Sequence, residues 1–573
     1  MPLRTLCSLY FSFIISIFAH YRKSRNSLGR LCKMFQYIKK QLQGMKLMHL
    51  NTIDGEKDIY EYSTTPLSPD MYKNLEEIKT ILGSSYDIAF REFDFGPQGR
   101  IRGTLVFLIS MIDKTFLNES IIKPLMFDDR LIEKEEEPEL LNIDYIKTTM
   151  LSMDEVHTAA TINEVIENCL KGYAVLVISG LNESIVIRAY GGETRSLDEP
   201  KTETVVRGPR LGFTESLLTN TSLLRRYVRT PNLTFETTII GRETKTVVCI
   251  AYIKGIANPS LIEEIKRRLD RINTDAILES GYIEQFIEDA PFSIFSTVGN
   301  SERPDAVAAK ILEGRAALLI NGTPFVLTVP VLFIESFSST EDYYSRPYFV
   351  GIVRMIRFLS YFISVFGPAI FVALSTFHQE LIPTPLLFTM AAAEEDVPFP
   401  AVIEALTMGA VFEILREAGI RLPRPVGQAV SIVGALVLGE SAVQAGLVSQ
   451  PMVIVISLTA VASFTVPAQT DSGAVLRLIM VLLAGAMGGF GIMIGFIGVM
   501  IHLASLRSFG TPFFSPFAPL TPIDLKDTIV RFPLWAMLTR PRLIGWNDPQ
   551  RQAFRLKPTP PSKNRNPRNK PDQ

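Results

Sequence analysis

The sequence predicts an α+β cytoplasmic domain, built of two small mixed subdomains, followed by an α-helical polytopic membrane domain. Two uncharged runs carry the second half of that prediction. No residue is charged from Phe358 to Phe377, nor from Leu478 to Leu506 with His502 counted neutral. As a helix at ~1.5 Å per residue, Leu478–Ile501 would be about 36 Å long, against a bilayer hydrocarbon core of about 30 Å. The third observation is contrast: the chain before Arg357 is charged and turn-rich, with short alternating and helical patterns of the kind found in water-soluble domains.

The 573 residues carry a formal net charge of −1, which gives no support for nucleic-acid binding. Cys7, Cys32, Cys169 and Cys249 form no CxxC pair and the histidines are scattered, so neither a zinc site nor a disulfide framework is expected. Residues 1–50 read as an N-terminal extension, with the start favoured at Met34, Met45 or Met48; residues 51–145 and 146–350 read as the two subdomains, the second with the juxtamembrane region.

In the first subdomain, Ser68–Leu82 reads as a helix with Ser68 as N-cap, Pro69 at the first helical position and Leu75, Ile78 and Leu82 on one face. Asp87–Phe95 and Gly103–Met111 read as strands, Glu119–Leu125 as a helix, and the acidic stretch Glu133–Glu139 as a linker. In the second, helices are expected at Ala160–Leu170, Thr214–Arg226, Asn258–Ile272 and Pro304–Leu312. Hairpins are expected from Tyr173–Ser179 with Ser184–Tyr190, Leu233–Ile240 with Lys245–Tyr252, and Ala316–Ile320 with Phe325–Val331. Asn321-Gly322 in the last hairpin predicts a type I′ turn. Although Ala316–Ile334 is uncharged, a turn at mid-bilayer would leave backbone groups unsatisfied, so this segment reads as soluble.

Residues 351–510 form the expected helical membrane domain. Spans are read at Phe358–Phe377, Val426–Val448, Met452–Val466 and Leu478–Leu506. Arg354 and Arg357 at the first of these put the soluble part in the cytoplasm. Leu381–Ala393 is too short to cross, and Val402–Leu415 is amphipathic with Glu404 and Glu413. Four spans return the basic, proline-rich tail, residues 511–573, to the cytoplasm, whereas a fifth would put it outside. Glu440 falls inside the second span, with Val443 and Gln444 on or beside its face; a buried charge there costs about 2.5–3.5 kcal/mol, so the trio is read as a candidate pore lining. The alternative is a helix-paired glutamate near a span end. The glycine run Gly485, Gly488, Gly489, Gly491, Gly495 and Gly498 reads as close helix packing. The sequence contains no phosphate loop, nucleophile elbow or HExxH, which gives no support for an enzyme or a cofactor site.

Several strings then line up in order: Arg207-Gly208-Pro209-Arg210, Gly212-Phe213-Thr214-Glu215, Leu224-Arg225-Arg226, Glu302-Arg303-Pro304-Asp305, Glu313-Gly314-Arg315, Asp342-Tyr343-Tyr344, Arg416-Glu417-Ala418-Gly419-Ile420-Arg421-Leu422-Pro423 and Ser508-Phe509-Gly510-Thr511-Pro512. Over roughly residues 65–545 the chain resembles the GerA family of spore germination proteins, specifically the A subunit of nutrient germinant receptors. It departs mildly, with Asn321 where the family often has Asp and Ser301 where it has Thr. The resemblance implies a multi-pass protein of the spore inner membrane, partnered by a permease-like B subunit and a C lipoprotein. It further implies oligomers around a pore that releases cations, and the reading of Glu440, Val443 and Gln444 as a pore lining fits that picture. Rival readings are a paralogue similar to stage V sporulation protein AF, acting with the dipicolinic-acid channel, and a non-conducting membrane scaffold.

Overall fold

The computed structural model describes residues 65–83, 85–95, 101–127, 143, 146, 156–189, 191, 199–421, 439–545, 548–553, 556 and 558. The N-terminal extension, the acidic linker, Pro423 and most of the expected span Val426–Val448 lie outside them.

The chain first builds a five-stranded antiparallel sheet in the order β1-β2-β4-β5-β3, from β1 (Ile88–Phe95), β2 (Ile101–Leu108), β3 (Val156–Ala159), β4 (Ala174–Ile178) and β5 (Ser184–Ile187). Helices α1 (Met71–Leu82) and α4 (Ile162–Leu170) cover one face. The other is covered by α2 (Lys114–Leu117), a π turn (Asn118–Ile122) and α3 (Lys123–Phe127). The expected boundary at residue 145 therefore runs through a sheet, since strands from both sides of it pair. The α1 N-cap is Asp70 rather than Ser68. Its carboxylate accepts from the Tyr72 and Lys73 amides, while Ser68 Oγ accepts from the Asp70 amide.

The same topology then recurs. After α5 (Leu217–Tyr227) come β6 (Leu233–Ile240), β7 (Thr246–Ile253), α6 (Pro259–Asp270), α7 (Ser280–Ile287), β8 (Gly299–Ser301), α8 (Pro304–Leu312), β9 (Ala316–Ile320) and β10 (Val326–Val329). Their sheet order is β6-β7-β9-β10-β8, again wholly antiparallel. Local devices recur with it. Asn74 bonds both backbone groups of Ser68 ahead of α1, and Asn220 does the same to Thr214 ahead of α5. Gly180 N–H donates to Pro69 O, and Gly322 N–H to Glu215 O. The part that the sequence reads as soluble, called the soluble part below, is thus one sandwich used twice. The joint between copies is a buried pair: Arg225 Nε donates to Asp87 Oδ2 at 2.7 Å, with Ser85 bridging Arg225 to the Phe235 amide. The turn after β9 is not type I′: Gly322 has φ +99° but Asn321 does not share it, and Asn321 Oδ1 instead accepts from the Leu217 amide at the start of α5.

A helical bundle follows: α9 (Pro347–Thr376), α10 (Thr384–Glu394), α11 (Ala401–Arg421), α12 (Gly439–Gln444), α13 (Gln450–Ser463) and α14 (Thr470–Ser505). By length and composition, α9 and the segment Pro467–Ser505 are apolar and long enough to cross a bilayer. Yet α14 is not one rod. Gly488 sits at φ +58°, ψ −140°, and divides it into α14a (470–487) and α14b (489–505). A β-carbon on Gly495 would lie 2.6 Å from Met480 Sδ, although residues so far apart on a straight helix are about 22 Å apart. The expected fourth span is therefore a helical hairpin. Both of its ends meet the soluble part: Gln469 Nε2 donates to Ser336 Oγ at 2.8 Å, and Ser293 Oγ lies 3.0 Å from His502 Nε2. Its tip meets the far end of α9, where Phe377 packs on Gly488 and the Gly489 amide donates to His378 Nε2 at 3.1 Å.

Contacts fix the direction of the other helices. Val402 packs on Gly485 near the tip and Glu413 pairs with Arg477, so α11 runs from the far end back towards the soluble part. Gly446 packs on the Asp396 carbonyl, and the Ser449 amide donates to Glu404 Oε2 at 2.7 Å, which places 439–449 at the far end. From there α13 returns, with Thr459 beside Gly367 and Phe464 6.2 Å from Phe412. After α14b the chain docks on the soluble part through β11 (Arg507–Ser508), β12 (Thr511–Pro512) and residues up to 545. The Val331 amide donates to Ser508 Oγ, the Phe333 amide to Phe513 O, and Arg540 Nε to Leu312 O. Residues 511–545, within the stretch read as a basic, proline-rich tail, are hence a segment docked on the sandwiches.

Candidate functional site

Three consecutive side chains hold the parts together. Residues 340–343 form a 3₁₀ turn, in which successive side chains point about 120° apart. Asp342, Tyr343 and Tyr344 therefore leave the backbone in different directions. Asp342, which is buried, accepts from Arg354 Nε and Arg357 Nη1 of α9, each at 2.9 Å. Tyr343 Oη donates to Asp527 Oδ2 of the C-terminal segment at 2.6 Å. Tyr344 Oη donates to Asp305 Oδ2 of the second sandwich, also at 2.6 Å. One tripeptide thus contacts the soluble part, the first apolar helix and the C-terminal segment at once.

Each arm is closed by arginine, whose planar fork suits several carboxylate and carbonyl acceptors in fixed geometry. Arg354 is fully buried. Besides Asp342 it donates to Asp527 Oδ1 at 3.0 Å and to the carbonyls of Asp527 and Thr528. Arg531 donates to the Asp342 and Ser345 carbonyls, which seats the C-terminal segment on the turn itself.

The Tyr344 arm gathers several of the family-motif positions. Arg303 stands where Thr161, in the first sandwich, caps α4 through its hydroxyl; Arg303 makes no side-chain cap, and its buried side chain turns to the loop of residues 203–209 instead. Its guanidinium donates to Glu203 O, Pro209 O and Asp305 Oδ2 at 3.2, 3.0 and 2.8 Å. Glu302 holds the same loop through the Thr202 amide, and Pro304 opens α8. Gly208, at φ +145°, lies flat against Tyr344, where a β-carbon would meet the ring at 2.8 Å. Burial pushes Glu203 above the usual carboxylate range, despite the hydroxyl of Ser301 donating to it. Burial, then the bond to Asp305, pushes the Tyr344 phenol up.

The remaining expected positions lie elsewhere. Arg207 and Glu215 are exposed, the latter using its carbonyl; Arg225 lies at the sandwich joint and Arg226 follows it in the last turn of α5. Arg416, Glu417 and Arg421 sit on α11 near its junction end. Glu440, Val443 and Gln444 lie on the short α12 at the far end of the bundle. Glu440 is exposed there and accepts from Gln444 Nε2 at 3.2 Å. The junction brings the Arg303 group together with Asp342; it does not bring in the α12 trio. Sequence reasoning listed Asp342-Tyr343-Tyr344 only as a matching string and missed Asp527 and Arg531, which have no local signature. No group of three or more metal-type ligands occurs among the described residues.

Comparison with known proteins places this geometry in context. The family model "Bacillus/Clostridium GerA spore germination protein" matches residues 76–543, which includes the sandwiches, the junction and the bundle. Spore germination protein KA of Bacillus subtilis (strain 168) is 45% identical over 86% of this chain and 90% of its own length. The uncharacterized membrane protein YfkQ of the same strain is 42% identical over 88% of this chain and 96% of its own. The crystal structure of the N-terminal domain of the A subunit of the Bacillus megaterium spore germinant receptor GerK3 matches 48% of this chain and 99% of that one, at 34% identity and a TM-score of 0.38.

Proposed function

This chain belongs to the GerA family of spore germination proteins, and from that premise we propose that it is the A subunit of a nutrient germinant receptor in the spore inner membrane. The observation that carries the reading is the family match running unbroken through soluble part, junction and bundle. It is supported by a relative that is itself named a membrane protein.

In this reading the bundle lies in lipid and the sandwiches lie in the cytoplasm. Helices α9 and α14a run away from the soluble part and α11, α13 and α14b run back to it, while residues 421 and 439 stand at opposite ends of the bundle. The count of crossings is then even, and the basic C-terminal segment stays cytoplasmic, as the positive-inside rule asks. The chain works with a permease-like B subunit and a C lipoprotein, and copies of it assemble around a cation pore. Val443, flanked by Glu440 and Gln444, lines that pore near its outer end. The junction at Asp342-Tyr343-Tyr344 transmits movement between the sandwiches, α9 and the C-terminal segment. A relay needs a second arrangement of this network, reached when one arm releases.

Two experiments test this. Spores lacking the gene, challenged with a panel of amino acids and sugars, lose the cation release triggered by at least one of them; unchanged kinetics across the panel refutes the receptor role. Recordings from purified protein in planar bilayers show raised leak for Val443→Ala; identical open probability and conductance remove Val443 from the pore.

A further inference from the structure

The string Arg416–Arg421 takes no part in the junction. It lies on α11, where positions 413, 416, 417, 420 and 421 share a face. Glu413 accepts from Arg416 Nη2 at 2.8 Å and from Arg477, which reaches across from α14a and stacks on Phe412. Arg421 pairs with Glu417 at 2.6 Å. Three guanidinium groups thus meet two carboxylates, which leaves one positive charge in surplus. Two of their donors also have no partner among the described residues: Arg416 Nε and Arg477 Nη1, the latter on a side chain nine-tenths buried. Neither donor has accessible surface, so what the cluster offers an anion is its surplus charge and the outward guanidinium groups of Arg416 and Arg421.

Beside these groups is an open depression of about 540 Å³, lined by Glu413, Arg416, Glu417 and Arg421. Its flanks are apolar: Ile414 and Ile420 are 68% and 73% exposed. The depth is informative. Arg477, at the inner edge, is eight residues along α14a from Gln469, which bonds to Ser336 of the soluble part, so it lies about 12 Å into the bundle. Arg421 lies a similar distance back towards the soluble part. The cluster thus occupies the outermost layer of the bundle on its soluble side, the layer that faces headgroups if the bundle lies in lipid.

We propose that this depression binds the phosphate of an anionic phospholipid headgroup, with the acyl chains along Ile414 and its exposed neighbours. Arginine forks match phosphate oxygens two at a time, and clusters of basic side chains on the cytoplasmic side attract anionic lipids. A soluble anion would use the same guanidinium groups but would gain nothing from the apolar flanks. The proposal rests on the membrane reading above.

The test uses the full chain, purified in detergent and analysed by native mass spectrometry with equal phosphatidylglycerol and phosphatidylcholine. Wild type is expected to retain phosphatidylglycerol about tenfold over phosphatidylcholine. Arg416→Gln with Arg421→Gln should abolish that preference. Arg421→Gln alone, at an exposed position that folding does not need, should reduce it about threefold. Equal retention of the two lipids by wild type, or an unchanged preference in both variants, overturns the proposal. Displacement of phosphatidylglycerol by millimolar inorganic phosphate also overturns it, in favour of a soluble anion. A chain that stays dissolved without detergent instead refutes the membrane reading, so the two failures are told apart.

Discussion

Replacing Arg354 by Met should release the C-terminal segment from the junction. The side chain is wholly buried and makes ion pairs to Asp342 and Asp527 at 2.9 and 3.0 Å, with two carbonyls besides. Removing one partner of a buried pair costs about 3–5 kcal/mol, because the remaining charge is stranded. Asp342 keeps Arg357 at 2.9 Å, and Asp527, about a quarter exposed, keeps Tyr343, so the lower end applies. About 3 kcal/mol is roughly two decades in the local opening equilibrium, at 1.4 kcal/mol per tenfold. Cleavage of a transiently opened segment follows that equilibrium when opening is fast. Limited proteolysis of the detergent-purified chain should therefore cut within residues 524–545 about a hundred times faster in the variant, while cleavage within the sandwiches stays unchanged. Arg354→Lys keeps the charge but loses the fork, and should fall between the two. Equal rates for all three would show that Arg354 does not hold the segment, and the relay would lose its central part.

Gly488→Ala meets the Phe377 ring system within 2.8 Å and needs a left-handed backbone; it should destabilise the bundle by about 1–3 kcal/mol, read as a lowered Tm in detergent. Cysteine placed at Phe490, beside the tip, should react with a membrane-impermeant maleimide from outside, and cysteine at Leu520 only from inside; the same side for both refutes the hairpin. Glu203 is held above the ordinary carboxylate range by burial, so the folded state binds a proton that the unfolded state has released. Its contribution to stability is then lost as pH rises from about 4.3 through the raised folded value, and Glu203→Gln should flatten Tm against pH across that window, whereas parallel curves would refute the assignment. Burial pushes the Cys169 thiol up to about 12, so peptide mass spectrometry should find it unalkylated by iodoacetamide at pH 8 until denaturant is added.

Local patterns were legible wherever local forces decide the element. The Pro304–Leu312 helix, the Ala316–Ile320 strand and the Leu233–Ile240 strand match the structure residue for residue, because a proline start, an apolar run and a hairpin turn each act within a few positions. Duplication went unread although its trace is present: Leu170-Lys171-Gly172-Tyr173-Ala174 and Leu312-Glu313-Gly314-Arg315-Ala316 both end a helix on a positive-φ glycine and enter a central strand. The acidic stretch after β2 looked like a domain linker because composition does not reveal that β4 returns to pair with β2 some seventy residues on. The junction was invisible for the same reason. Arg354 and Asp527 are 173 residues apart, and no periodicity joins them.

The length test failed at one residue, and the failure bears on topology. An uncharged run of this length satisfies any hydropathy criterion, but hydropathy carries no direction. Continuous, the 36 residues of α14 would extend about 54 Å and leave Leu506 at the far end of the bundle. Instead the Ser508 hydroxyl accepts from the Val331 amide at 2.9 Å and donates to Thr297 O at 2.6 Å, both deep in the soluble part. Only a reversal between Met480 and Gly495 satisfies both these contacts and the Gln469–Ser336 bond at the other end. Gly488 supplies it, since the tip needs a positive φ and has no room for a β-carbon against Phe377. Of the glycines that sequence reasoning assigned to close helix packing, Gly491 and Gly495 pack against the other arm of their own hairpin, whereas Gly485 packs on Val402 of α11 and Gly489 on His378. That single reversal keeps the C-terminal segment beside Asp342, where Asp527 and Arg531 can reach it.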